Sequence, residues 1–156
     1  MENETSQHLK VIVFQLQDEE YAVPVEQVGS IERVQNITRV PRTEAFVKGV
    51  INLRGVVTPI IDLRSRFDLP AAEYTNATRI IIVSIGETNV GLIVDSANDV
   101  IDIPESSIEP PPEIVGDLEV EYLQGVAKLE KRLLILLNLH NVLTKEEVDE
   151  LQAIEG

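Results

Sequence analysis

Val11-Ile12-Val13-Phe14-Gln15-Leu16 returns 69 residues later as Ile80-Ile81-Ile82-Val83-Ser84-Ile85. The same offset lays Tyr21-Ala22-Val23-Pro24-Val25-Glu26 over Val90-Gly91-Leu92-Ile93-Val94-Asp95. Further along the offset is 76: Gly49-Val50 falls on Gly125-Val126, Leu53 on Leu129, and Ile60-Ile61-Asp62-Leu63-Arg64 on Leu136-Leu137-Asn138-Leu139-His140. The extra residues fit a loop over 108–119, where Pro110-Pro111-Pro112 removes ladder donors and Gly116 follows. Val/Ile-rich strands resemble one another by chance, but chance does not keep an offset and the Gly and Asp/Asn positions together.

Each half reads as five short strands, two hairpins and a closing turn of helix. The chain holds 20 Val and 17 Ile against 16 Leu, a β-branched weighting that favours strands. Apolar runs cut by turn chemistry place strands at about 9–17, 20–25, 28–34, 47–53, 56–61, 78–85, 88–95, 97–103, 121–129 and 132–137. Pro24 and Pro59 mark edges or bulges, since proline gives no ladder hydrogen bond. Short helical turns are expected at 43–47 and 62–67. A final helix over 144–154 is announced by Thr144 with Glu147 three residues on, flanked by Leu143 and Val148 as a staple. Five strands in so short a span predict a small closed barrel, because closure removes exposed edges. The expected fold is all-β: two five-stranded barrels, over about 8–66 and 78–141, packed into one domain spanning 1–156 with a short C-terminal helix.

With 156 residues and 27 acidic against 13 basic side chains, net −14, the chain is a poor partner for nucleic-acid phosphates or anionic lipid. The acidity is uneven. Residues 8–66 sum to +1, whereas 67–156 carry −13. Across 39–66, Arg39, Arg42, Lys48, Arg54, Arg64 and Arg66 face only Glu44 and Asp62. That concentration reads either as solvated surface or as a basic face for an acidic protein partner. Residues 1–10 are polar and acidic, unlike a signal peptide, and no apolar run approaches the about 18 residues of a membrane span. A soluble cytoplasmic protein with no direct membrane insertion is expected.

The absence of cysteine removes thiol nucleophiles, disulfides and thiolate metal sites. His8 and His140 have no neighbour at metal-ligand spacing. Phosphate-binding glycine loops and a Gly-x-Ser-x-Gly elbow are absent as well. The repeat raises one enzymatic idea, a shared-proton pair of aspartates with one from each half. Asp95 is matched by Glu26, however, and Asp62 by Asn138, so the symmetry fails at both places. The expectation is a protein without catalytic residues, metal or cofactor.

What remains is Gly49-Val50-Ile51-Asn52-Leu53-Arg54-Gly55-Val56-Val57. Gly55 can take a positive φ at a tight turn, and Asn52 can hydrogen-bond nearby backbone. Arg54 then stands at or beside a hairpin tip, where its guanidinium can fork onto a carboxylate. The second half has an ordinary Glu130-Lys131 turn at that place.

The run Phe46-Val47-Lys48-Gly49-Val50-Ile51-Asn52-Leu53-Arg54-Gly55, continuing through Pro59-Ile60-Ile61-Asp62-Leu63-Arg64, resembles the CheW family of bacterial chemotaxis coupling proteins. Asp18-Glu19-Glu20-Tyr21, Gly91-Leu92-Ile93-Val94-Asp95 and Tyr122-Leu123-Gln124-Gly125 extend the resemblance over about 9–151. It implies two SH3-like barrels around a shared core. It also implies a non-enzymatic adaptor that bridges the cytoplasmic tips of transmembrane chemoreceptors (methyl-accepting chemotaxis proteins) to the regulatory domain of the histidine kinase CheA. Kinase autophosphorylation then comes under receptor control in membrane-bound arrays. Carried over by resemblance, the receptor-binding residues are Arg54, Asn52 and Gly55, with Val28, Ser30 and Ile31 of the third strand, near the groove between the barrels. Kinase contact is expected on the first barrel, at residues the resemblance does not assign. Several relatives carry a glutamate immediately before the isoleucine matched by Ile31, placed to pair with the motif arginine. Ser30 stands there in this chain, which leaves Arg54 available to a receptor carboxylate or paired by Glu32 or Glu26.

Two other readings compete. One is a CheW-like module of a larger kinase or receiver fusion, against which the start at Met1 and the end soon after a capped helix favour the free adaptor. The other is a small-ligand barrel, disfavoured because Val, Ile and Leu side chains fill barrels this small.

Overall fold

A computed structural model of the protein describes residues 7–110 and 123–155. The proline loop beyond Pro110, the expected strand start at 121 and Tyr122 lie outside the described residues. The strands are β1 (His8–Leu16), β2 (Glu19–Pro24), β3 (Val28–Arg33), β4 (Val47–Leu53), β5 (Val56–Asp62), β6 (Arg79–Ile85), β7 (Thr88–Val94), β8 (Ser96–Pro104), β9 (Ile108–Glu109), β10 (Leu123–Leu129) and β11 (Arg132–Leu137). Helices are α1 (Leu63–Arg66), α2 (Leu139–Val142) and α3 (Lys145–Glu155). The helical turn expected at 43–47 is instead a pair of non-helical turns on either side of Thr43 and Glu44. Ile108 and Glu109, expected in the loop, pair with Ala127 and Val126.

The repeat is written into the hydrogen bonding. In the parallel pair β5–β7, Ile60 faces Gly91; in the parallel pair β11–β2, Leu136 faces Ala22. The two offsets found in the sequence convert one pair into the other. Each half also carries the same bulge, between Val47 and Gly49 opposite Ile61 and Ile60, and between Leu123 and Gly125 opposite Leu137 and Leu136. These glycines have a shared cause. A Cβ on Gly49, at φ +142°, would collide with the Thr38 carbonyl, and one on Gly125 would sit 2.8 Å from the Glu109 carbonyl oxygen. Crossing backbone leaves room for hydrogen only. Pro59 lies where β5 is paired with β4 alone, one residue before the parallel ladder to β7 begins, so its missing N–H leaves that ladder whole.

The halves exchange hairpins. One sheet runs β8-β1-β2-β11-β10-β9 and the other β3-β6-β7-β5-β4. The β1–β2 hairpin of the first half is thus hydrogen-bonded among strands of the second, and β6–β7 among strands of the first. The contiguous segments 8–66 and 78–141 are not the hydrogen-bonded units. Among the described residues neither strand order closes on itself, so the expected closed barrels are curled sheets instead. The curl is required by chain length. A flat sheet of six strands holds its edges about 24 Å apart, whereas the four steps from Pro104 to Ile108 reach about 14 Å. Those steps link the edge strands β8 and β9.

Curling gives each sheet an interior of its own and leaves a third core between them. Val11, Val13, Ala22, Ile103, Leu134 and Leu136 fill one sheet; Ile51, Ile60, Ile80, Ile82 and Ile93 fill the other. Phe14, Leu16, Tyr21, Ile61, Ile81, Val83, Leu92 and Val94 belong to the shared core. Strands β1, β6 and β11 are therefore buried on both faces, which is why they read as unbroken apolar runs rather than alternating ones. Each such side chain contributes about 1.5–3 kcal/mol by leaving water.

Helix ends complete the repeat. Asp62 Oδ1 accepts from the Arg64 N–H at 3.0 Å and Asn138 Oδ1 from the His140 N–H at 3.1 Å, capping α1 and α2. The Asp/Asn match is a pair of helix caps. At α3 the capping box is present in full: Glu147 N–H donates to Thr144 Oγ1 at 3.1 Å and Thr144 N–H to Glu147 Oε1 at 2.8 Å.

Candidate protein-docking site

Asn52 sets the geometry of the β4–β5 tip. Its Oδ1 accepts from the Gly55 N–H at 2.8 Å, and Arg54 and Gly55 both hold positive φ, +52° and +88°. Two left-handed residues between paired Leu53 and Val56 match the right-handed strand twist that tight hairpins require. The motif's Asn-x-Arg-Gly order is thereby explained: a side-chain brace, a presented cation and a residue indifferent to positive φ. Arg54 is itself left-handed, which nothing in the sequence reading anticipated.

Strand β3, at the sheet edge, completes the site. Val28 and Ile31 pair with Val83 and Ile81 of the shared core, whereas Ser30 and Glu32 pair with Ile82 and Ile80 of the inner core. Antiparallel partners share a face. Val28 and Ile31 therefore lie at the seam between the sheets, and Ser30 and Glu32 turn toward the sheet's own interior. Arg54 Nη2 reaches Glu32 Oε2 at 3.3 Å, with the arginine side chain 69% exposed and the glutamate 18%. Of the two carboxylates proposed for Arg54, Glu32 is the one in place. Ile31 remains 40% exposed beside it on the strand, and Val56, which the sequence reading missed, is 55% exposed beside the tip. The structure thus brings Arg54, on the tip braced by Asn52 and Gly55, to the β3 residue Glu32, with Ser30 on the Glu32 face and Val28 and Ile31 on the other.

The six-cation basic face does not survive whole. Arg64 Nε and Nη2 donate to Asp95 Oδ1 and Oδ2 at 2.9 and 2.6 Å, and its Nη1 donates to the Pro70 carbonyl at 2.6 Å. The hydrogen bond to Asp95 raises the Arg64 pKa further above its ordinary value. Asp95 also accepts from the Gln17 N–H at 2.8 Å. Burial pushes its pKa up, but the bonds from Arg64 and Gln17 prevail and hold it below the usual value. A carboxylate so engaged joins the two sheets and is not the acid of a dyad. Arg66 donates to the Val142 carbonyl at 2.6 Å and to Glu147 Oε1 at 3.2 Å, with its guanidinium 4.9 Å over the Phe46 ring. It fastens α3 and is no part of an open surface.

Comparison with known proteins decides the family. A profile described as "CheW-like domain" matches residues 10–147. The chain belongs to the CheW family. It is 51% identical over 138 residues to the chemotaxis protein CheW of Bacillus subtilis (strain 168), covering 88% of each chain. It is 36% identical over 138 residues to CheW of Helicobacter pylori (strain ATCC 700392 / 26695), covering 88% of this chain and 83% of the relative. In structure it is similar to the scaffolding protein TtCheW from Thermoanaerobacter tengcongensis, with a TM-score of 0.84 and 36% identity over 90% of this chain and 96% of that one. The CheW fold accounts for the two sheets and the C-terminal helix. No described helix is long and apolar enough to cross a membrane. Among the described residues no group of three His, Asp or Glu is placed to hold a metal ion.

Proposed function

We propose that this CheW-family chain is a non-enzymatic chemotaxis adaptor. It couples the cytoplasmic tips of transmembrane chemoreceptors to the histidine kinase CheA, so that receptors govern kinase autophosphorylation. The observation that carries this reading is the 51% identity to a chemotaxis CheW over 88% of both chains. The site geometry supports it further. Arg54 stands on a braced tip next to the exposed Val56, with Ile31 exposed on the other face of β3, and an exposed cation flanked by exposed apolar side chains suits a modest docking patch with a charged rim. The receptor-binding set is Arg54, Asn52, Gly55, Val28, Ile31 and Ser30, and the kinase's regulatory domain contacts the first barrel, at residues left unassigned. Recruitment to membrane-bound arrays follows from the receptor contact, and the protein works in the cytoplasm.

The deciding experiment reconstitutes receptor cytoplasmic fragments with the kinase and measures autophosphorylation with and without this protein. Receptor-dependent control of the kinase only in its presence is expected. No difference on adding it would defeat the coupling reading.

A further inference from the structure

Three cations share a surface cleft in which none has a partner among the described residues. The segment between β3 and β4 is pinned where Thr38 and Val50 exchange two backbone hydrogen bonds of 2.8 Å. Arg39 follows the pin directly, Lys48 lies on β4, and Arg42 sits in the turn between them. With Val40, Glu44 and Val47 among the other lining residues, they surround a cavity of about 450 Å³. Among the described residues these three side chains make no ion pair or hydrogen bond. Arg54, Arg64, Arg66, Arg79, Lys128 and Arg132 are engaged; Lys10, Arg33, Lys131 and Lys145 share the lack of an ion pair among the described residues but do not line this cleft. In a chain of net −14, three unpaired cations around one cleft are a local concentration against the prevailing sign.

The cleft is also shaped in advance. Arg42 is held at φ +64°, a region that non-glycine residues seldom occupy, and Thr43 Oγ1 closes the turn on the Val40 carbonyl at 3.0 Å. The walls mix apolar Val40, Pro41 and Val47 with the cations and admit one carboxylate, Glu44. Spaced cations between apolar side chains suit a polypeptide with several carboxylates better than one compact phosphate. Six residue steps along and just past β4 separate Lys48 from Arg54, about 20 Å, so this cleft and the hairpin tip can be occupied separately.

We propose that the cleft of Arg39, Arg42 and Lys48 docks an acidic polypeptide segment of a partner protein, at a site distinct from the Arg54 tip. The proposal goes beyond the coupling role and holds whether or not Arg54 binds receptor. It is tested on the full isotope-labelled chain by amide-shift titration with a hexaglutamate peptide, with inorganic phosphate and hexalysine as parallel arms. Saturable shifts confined to 38–50, weakened by added salt, are expected with hexaglutamate alone. Replacing the three residues together (Arg39→Gln, Arg42→Gln, Lys48→Gln) should weaken peptide binding about tenfold or more with the melting temperature unchanged. Arg54→Glu should leave it intact. If the triple variant melts early, Lys48→Glu alone must still weaken binding. Shifts centred outside 38–50, equal shifts from phosphate, or binding undiminished in the variants would each overturn the proposal.

Discussion

Glu32 and Arg54 meet at 3.3 Å between an edge strand and a hairpin tip that are not hydrogen-bonded neighbours in the sheet. Ser30 and Glu32 lie two residues apart on one face of β3, as their partners Ile82 and Ile80 show. A carboxylate at the second position therefore supplies Arg54 with the partner that a serine at the first does not. The pair is open to water on the arginine side, so it positions the cation more than it stabilises the fold. A partner carboxylate reaching Arg54 would compete with Glu32 for the same guanidinium.

Arg54→Glu is expected to weaken capture of a receptor cytoplasmic fragment at least about tenfold by placing a carboxylate beside Glu32. The melting temperature should fall little, because a solvated tip tolerates polar change. Copurification beside a thermal melt reads both. Receptor binding equal to wild type would remove Arg54 from the docking site.

Glu32→Gln separates competition from scaffolding. The exposed ion pair contributes about 0–1 kcal/mol, so stability should hardly move. Freed of its internal partner, Arg54 should bind a receptor fragment as tightly as before or tighter. A marked loss of binding, with the melt unchanged, would mean that Glu32 serves to aim Arg54 and not to compete for it.

Asp95 makes the stability depend on pH. Its folded-state pKa lies below the ordinary carboxylate value, because Arg64 and Gln17 donate to the charged form. The folded state therefore binds the proton less readily than the unfolded one. The stabilisation is complete above the unfolded carboxyl's pKa and drains away as pH falls through the folded one. Asp95→Asn should cost about 1–3 kcal/mol at neutral pH, and the gap to wild type should narrow on acidification. Chemical denaturation at several pH values tests this; a gap independent of pH would assign the loss to packing.

How much of this was legible follows from which forces act locally. Caps, turns and repeats are short-range, so the Thr144–Glu147 box, the positive φ of Gly55 and the Ile60/Leu136 correspondence could be read along the chain. Hairpin exchange could not. The alternation that would point a strand to one sheet is erased in β1 and β6, because both faces are buried. The fates of the six cations were equally hidden. Arg64 and Arg66 find carboxylates 31 and 81 residues away, whereas Arg39, Arg42 and Lys48 find none among the described residues. Glu32 was within reach of sequence reasoning once Ser30 left Arg54 without its usual partner.

The glycines rank themselves by what stands near them, and the ranking can be measured. Gly55 has open space where a Cβ would go, so Gly55→Ala meets only the torsional cost of φ +88°, about 1–2 kcal/mol. Valine there is worse, since β-branching tolerates the left-handed region least. At Gly125 an added methyl carbon would lie 2.8 Å from the Glu109 carbonyl oxygen, on a two-residue strand that can shift at the cost of its pairing with β10. Gly49 combines both penalties. Its φ is +142°, and its Cβ would meet the Thr38 carbonyl that holds the 34–46 connection to β4. Gly49→Ala should therefore cost about 3 kcal/mol or more, exceeding Gly125→Ala and Gly55→Ala in one denaturation series. It should also broaden amide signals across 38–48, because the Thr38–Val50 pin is what the added carbon displaces. A Gly49→Ala chain as stable as Gly55→Ala would show that the crossing backbone is free to move aside.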